Sequence, residues 1–267
     1  MCRDCGCETA NDKAFFHQHH DHDHDHDHDH PHHHHHDHDH PHHHHHEHEV
    51  KTIDIEKAIL EKNDALARVN REYFNRHNIK VLNIISSPGS GKTLLLEKTI
   101  KHTPNASIII GDQEKDFDAK RISANGGRVL QLNTYSSCHL NADMINQELD
   151  KFIHPDIDLL IIENVGNLVC PAAFDLGEHA KVAVLSTPEG EEKPIKYPVL
   201  FHTADIIVIN KIDLAPILEW NRDKCYDYIR KVNPKAYIIE LSAKTEEGMA
   251  PWVKYLTKDK DEELRVH

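Results

Sequence analysis

The chain has 267 residues, with 45 acidic and 31 basic side chains, a formal net charge of −14, and 28 histidines. The charge is lopsided: residues 1–50 hold twelve Asp/Glu against two Lys/Arg, and residues 51–267 hold thirty-three against twenty-nine. With so balanced a remainder and no basic stripe, nucleic acid is not an expected partner, and no apolar run is long enough to span a bilayer.

The first fifty residues read as a disordered arm. "MCRDCGC" opens it and places Cys2, Cys5 and Cys7 as C-x-x-C-G-C. Three thiolates on so short a loop can converge on one soft divalent ion, with the terminal amine in reach as a fourth donor; the alternative is a reactive thiol cluster with no metal role. A square-planar N/S set suits Ni²⁺ and a tetrahedral one suits Zn²⁺. The opening lacks the apolar core and small-residue cleavage site of a secretory signal, and six cysteines do not make a disulfide scaffold, so a cytoplasmic location is expected. From His20 to Glu49, nineteen of thirty residues are histidine and most others are acidic, with Pro31 and Pro41 dividing the tract. Such a composition buries nothing that could offset the entropy of ordering. The composition changes at Val50.

Between Ile53 and His77, Ile55, Ile59, Leu66, Val69 and Tyr73 fall at helical spacing, which predicts an amphipathic helix packed on the domain. Seven short apolar runs follow, at 80–86, 106–110, 128–133, 158–164, 181–186, 205–210 and 236–241. Most are continuously apolar, as strands covered on both faces are, and helical stretches separate most of them. The prediction for 51–267 is therefore an α/β domain: a mostly parallel sheet with helices on both faces. In such sheets ligands bind beyond the carboxyl ends of the strands, and every motif below falls at such an end.

"IISSPGSGKTLLLE" puts a Gly-rich loop between the first strand and a helix. Gly91, Lys92 and Thr93 complete a P-loop whose first glycine is replaced by Ser86. Ser87, Pro88, Gly89, Ser90, Gly91, Lys92, Thr93 and Leu94 are expected around the phosphates, with backbone N–H groups and the helix dipole facing them, Lys92 reaching the β/γ-phosphates and the Thr93 hydroxyl on Mg²⁺. "VINKIDL" supplies Asn210, Lys211 and Asp213 as N-K-x-D. The Asp213 carboxylate can accept both N1–H and N2–H₂ of guanine, whereas adenine leaves it unpaired. Ser242, Ala243 and Lys244 of "LSAKT" fit the loop that closes over the base. Asp112 and Glu163 end strands and are candidate Mg²⁺ carboxylates, catalytic with Lys92 and Thr93; Asp112 also reads as a helix N-cap. Gly166 offers an N–H for the γ-phosphate. No arginine finger or catalytic glutamine is evident, so slow GTP hydrolysis to GDP and phosphate is expected.

A second thiol group consists of Cys138 and His139 in "TYSSCHLNA" and Cys170 in "ENVGNLVCP". Two thiolates and an imidazole make a three-ligand metal site with an open fourth position; the alternative is ordinary buried cysteines. Cys225, inside a predicted helical stretch 214–232, reads as core or surface and not as a ligand.

Together, C-x-x-C-G-C, the His-rich arm, "SSPGSGKT", "GDQEKDFDAKRI", "CHLNA", "ENVGNLVCP", "EGEEKPIKYP" and "NKIDL" resemble the hydrogenase nickel-incorporation GTPases, the HypB family. The resemblance implies a cytoplasmic GTPase that helps deliver nickel to the large subunit of [NiFe]-hydrogenase, a nickel-chaperone partner of the HypA family, and a GTP-linked homodimer with the second metal site near its interface. It assigns Zn²⁺ or Ni²⁺ to Cys138, His139 and Cys170, and Ser86 matches the family's own P-loop. "EGEEKPIKYP" is a nucleotide- or partner-facing loop. The histidine tract lies between two of these motifs, unlike a terminal tag, and neutral imidazoles on a tether suit nickel buffering. Alternative functions are a nickel store with the GTPase domain as scaffold, and a GTPase serving another nickel enzyme such as urease.

Overall fold

The computed structural model describes residues 46–112, 117–134 and 137–257. Cys2, Cys5, Cys7 and the histidine tract as far as His45 lie outside the described residues. The chain divides into two units, Met1–Ala58 and Ile59–His267. The described part of the first is the start of helix α1 (His46–Arg76), which begins on the arm's side of the composition break at residue 50.

The second unit is built on strands β1 (Lys80–Ser86), β2 (Ala106–Asp112), β3 (Arg128–Asn133), β4 (Leu159–Glu163), β5 (Ala180–Ser186), β6 (Ile206–Asn210) and β7 (Tyr237–Glu240). They form one sheet in the order β3-β2-β4-β1-β5-β6-β7, and every pairing in it is parallel. The helices after α1 are α2 (Lys92–Ile100), α3 (Phe117–Ala124), α4 (Ala142–Asn146), α5 (Leu149–Phe152), α6 (Cys170–Ala173), α7 (Lys193–Lys196), α8 (Pro198–Thr203), α9 (Arg222–Val232) and α10 (Met249–Thr257).

β1 is central and buried along its whole length, so its alternate side chains enter different cores. Leu82 and Ile84 pack with Leu95 and Leu96 of α2, Ile122 of α3 and Trp252 of α10. On the other face Val81 packs with Phe74 of α1 and Ile145 of α4, while Ile85 packs with Leu200 of α8 and Ile229 of α9. Burial on both faces explains why these strands read as unbroken apolar runs. Trp252 also satisfies its indole N–H, which donates to Thr99 Oγ1 at 2.9 Å.

Two expectations are corrected. From Ile59 onward the apolar stripe of α1 faces the domain only in part: Ile59 and Val69 are exposed, Val69 by 48%, while Leu66 and Tyr73 are partly buried, Tyr73 against the core; Ile55 is exposed. The buried face carries Asn63, Ala67, Asn70 and Phe74. The reason is hydrogen bonding, which overrides the apolar period. Asn70 Nδ2 donates to Ala142 O at 2.9 Å and Leu176 O at 3.1 Å, Asn63 Oδ1 accepts from Ala142 N–H at 2.9 Å, and Asn63 Nδ2 donates to Asp175 O at 2.8 Å. These amides satisfy loop backbone that the helix would otherwise bury without partners. Second, the stretch 214–232 is α-helical only from Arg222, where Asn221 caps α9 by accepting from Lys224 N–H at 2.9 Å. Cys225 lies in that helix as a core residue, and burial pushes its thiol up to about 12.

Under α1 a carboxylate is buried beside the sheet. Glu178 accepts from Leu176 N–H at 2.7 Å and Asn83 Nδ2 at 3.2 Å. Burial raises its pKa to about 7 against the Lys181 ammonium, 3.9 Å away, which lowers it. The folded state thus takes up this proton more readily than the unfolded state, and the stability the proton contributes is lost as pH rises through about 7. Glu178→Gln mimics the protonated form. Its stability relative to wild type should rise between pH 5 and pH 8 by on the order of 2 kcal/mol, measured by denaturant unfolding at both pH values.

Candidate nucleotide and metal site

The P-loop turns tightly between β1 and α2. Gly91 sits at φ +95° as the N-cap of α2, and a Cβ there would lie 2.6 Å from Asn210 Nδ2. Glycine is therefore required both by conformation and by space. Ser90 is buried with its Oγ 2.5 Å from Ser86 Oγ, and Lys92 Nζ donates to Ser86 Oγ at 2.8 Å. Ser86 thus does more than replace a glycine: its hydroxyl links Lys92 and Ser90. Leu94 packs against the core under the loop.

Asn210 joins three loops. Its Nδ2 donates to Ser90 O at 2.9 Å, and its Oδ1 accepts from Lys211 N–H at 2.8 Å and Ala243 N–H at 3.1 Å. Lys211 lies across the P-loop, donating from Nζ to Gly89 O at 2.6 Å. Ser242 is buried and holds its turn by accepting from Thr245 N–H at 3.2 Å; Lys244 is exposed. Asp213 Oδ1 is buried, with no hydrogen-bond partner among the described residues. A buried carboxylate oxygen left unpaired costs free energy, and a guanine N–H donor would satisfy it.

On the γ-phosphate side Thr93 Oγ1 donates to Glu163 Oε1 at 3.4 Å. Neighbouring ligands on an octahedral Mg²⁺ are separated by about 3 Å, so this pair has suitable spacing for that ion. Asp112 ends β2 on the same rim; its side chain is outside the described residues. Gly166 packs against Pro88, whose Cγ would lie 3.1 Å from a Cβ at position 166. The loop after β5, read from the sequence as nucleotide- or partner-facing, reaches the P-loop: Lys193 Nζ donates to Ser87 Oγ at 3.2 Å and pairs with Glu189 at 3.5 Å.

Cys138, His139 and Cys170 come together, with their ligand atoms within 4.8 Å of one another, and Cys138 Sγ lies 3.6 Å from His139 Nδ1. Ligands on a tetrahedral Zn²⁺ stand about 3.5–3.8 Å apart, so a small inward movement closes the set on one ion. Both cysteines are half-buried and His139 is buried. Burial lowers the His139 pKa to about 4, so its ring is neutral and able to ligate at neutral pH. The Phe174 ring lies 3.9 Å from the imidazole and fixes its plane.

Residues 80–240 match the family model described as CobW/HypB/UreG, nucleotide-binding domain. The chain is 49% identical over 220 residues to the hydrogenase maturation factor HypB of Azotobacter chroococcum, covering 81% of this chain and 72% of that one. Among solved structures it is similar to HypB from Archaeoglobus fulgidus (TM-score 0.69, 40% identity, 74% of this chain and 98% of that one) and to HypB from Helicobacter pylori in complex with nickel (TM-score 0.72, 35% identity, 76% and 96%). Fold and site together define a P-loop GTPase domain with a thiolate–imidazole cluster on the same rim. The chain belongs to the HypB family of hydrogenase maturation factors.

The Asp213 geometry predicts base selectivity. Asp213→Asn should lower GTP affinity by about 10²-fold or more and shift preference toward XTP, whose 2-oxo group accepts from the new amide. Competition binding with GTP, XTP and ATP measures it.

Proposed function

We propose that the protein is a GTP-hydrolysing nickel metallochaperone of [NiFe]-hydrogenase maturation, in which nucleotide state gates metal transfer. One observation carries the reading: the segment from Glu163 to Cys170 touches the P-loop through Thr93 and Pro88 and ends in a member of the Cys138–His139–Cys170 cluster. A change at the γ-phosphate therefore acts on a metal ligand a few residues away.

Lys92 and the P-loop N–H groups hold the phosphates, and Asp213, Lys211 and Ala243 hold the base. Thr93 and Glu163, with Asp112, would hold Mg²⁺, which when bound neutralises phosphate charge. The arm, residues 1–50, collects metal: Cys2, Cys5 and Cys7 bind nickel, and the histidine tract buffers more of it. Cys138, His139 and Cys170 take zinc or nickel. The protein acts in the cytoplasm as a GTP-linked homodimer, receives or passes nickel through a HypA-family chaperone, and reaches the hydrogenase large subunit indirectly. Among the described residues no helix is long and apolar enough to cross a membrane.

Two variants separate the parts. Lys92→Ala should lower GTP hydrolysis by about 10²-fold or more and abolish nickel delivery, while nickel binding by the arm persists; full hydrogenase activity in cells carrying it would refute the coupling. Deleting residues 17–49 should lower the Ni²⁺ bound per chain in equilibrium dialysis and leave phosphate release unchanged. Unchanged stoichiometry would rule out buffering.

A further inference from the structure

The peptide between His139 and Leu140 is held at both ends. Its carbonyl, on His139, accepts from Ser137 Oγ at 2.9 Å. Its N–H, on Leu140, donates to Asn164 Oδ1 at 3.1 Å. Asn164 directly follows Glu163, the residue paired with Thr93 of the P-loop. It is 1% exposed, and its amide is held at both ends: Oδ1 also accepts from Val165 N–H at 3.0 Å, and Nδ2 donates to Asn83 Oδ1 at 3.2 Å. Its own N–H continues the sheet, donating to Ile84 O at 3.0 Å. The Leu140 side chain in turn covers Gly111, where a Cβ would lie 2.7 Å from Leu140 Cγ.

We infer that Asn164 is a positioning residue that transmits nucleotide state to His139, by a route separate from the chain that leads to Cys170. The inference rests on the gating reading above and names the group through which it works. The physical argument is rigidity. The carboxamide of Asn164 is short and buried, and its oxygen is shared by two backbone donors, so it cannot reorient without leaving one of them unpaired. When Glu163 shifts against Thr93, the neighbouring Asn164 shifts with it, and the peptide that fixes His139 follows. Metal is then gripped or released by moving the imidazole relative to two thiolates. Asn83 holds the other end of the same amide and connects it to Glu178.

The test uses the full chain carrying Cys2→Ser, Cys5→Ser and Cys7→Ser, so that thiolate-to-Ni²⁺ charge transfer reports on Cys138 and Cys170. Ni²⁺ affinity is read from that band with GDP and with a slowly hydrolysed GTP analogue. The parent should show a ratio between the two nucleotides of about 5- to 150-fold. Asn164→Ala should bring it to within about twofold of unity, while Asn233→Ala, the loss of a buried amide that bonds only to α8 and its flanking turns, should keep it. Should the alanine variant not fold, Asn164→Ser, with a smaller void, gives the same reading. A ratio retained in the Asn164 variant, or lost in both, overturns the assignment and leaves gating intact. A ratio of one in the parent overturns gating itself, and the Asn164 route with it.

Discussion

A nucleotide site on an open sheet needs loops from distant parts of the chain to hold one arrangement before any ligand arrives, and here a single carboxamide imposes that arrangement. Asn210 is buried at the end of β6 and bonds to Ser90 of the P-loop, to the backbone of its own N-K-x-D loop, and to Ala243 of the base-closing loop. An amide suits this joint because it carries donors and an acceptor on one rigid plane and has no charge to desolvate. The fold uses the same device repeatedly: Asn63 and Asn70 pin α1, Asn164 pins the metal loop, and Asn233 pins α8 against the turn before β7. In each case an asparagine satisfies backbone groups that the parallel architecture buries between elements.

The parallel register places the two chemistries side by side. β4 lies between β2 and β1, so the loop leaving it passes between the P-loop on one side and the Leu140–Gly111 contact on the other. Glu163, Asn164 and Gly166 within that loop alternate between these neighbours, toward Thr93, Leu140 and Pro88 respectively. A metal cluster built at this point shares its scaffold with the nucleotide site. Elsewhere on the domain it would not.

Much of this was legible in the chain because the sheet is covered on both faces. The run "KVLNIIS" coincides with β1, and the "LLIIE" of "DLLIIEN" with β4, because both strands are buried along their whole length. The P-loop, N-K-x-D and Cys-His…Cys residues were legible because their chemistry constrains residue type at each position. What could not be read was chemistry carried by ordinary polar residues. Asn164 looks like any residue between a strand and a glycine, and Lys193 like one charge among several, until long-range partners give them roles. The inner face of α1 was misread for the same reason: periodicity counts methyl groups, and that face is chosen for its amides.

Apolar packing tolerates small rolls of a helix better than directed hydrogen bonds do. The part of α1 from Ile59 onward lacks that freedom, since a turn of even one residue's angle about its axis would pull Asn63 and Asn70 off the carbonyls and N–H groups they serve. The outward side chains of Ile59 and Val69 therefore keep a fixed bearing on the domain. Any surface that meets them finds the same azimuth each time, set by hydrogen bonds on the opposite side of the helix.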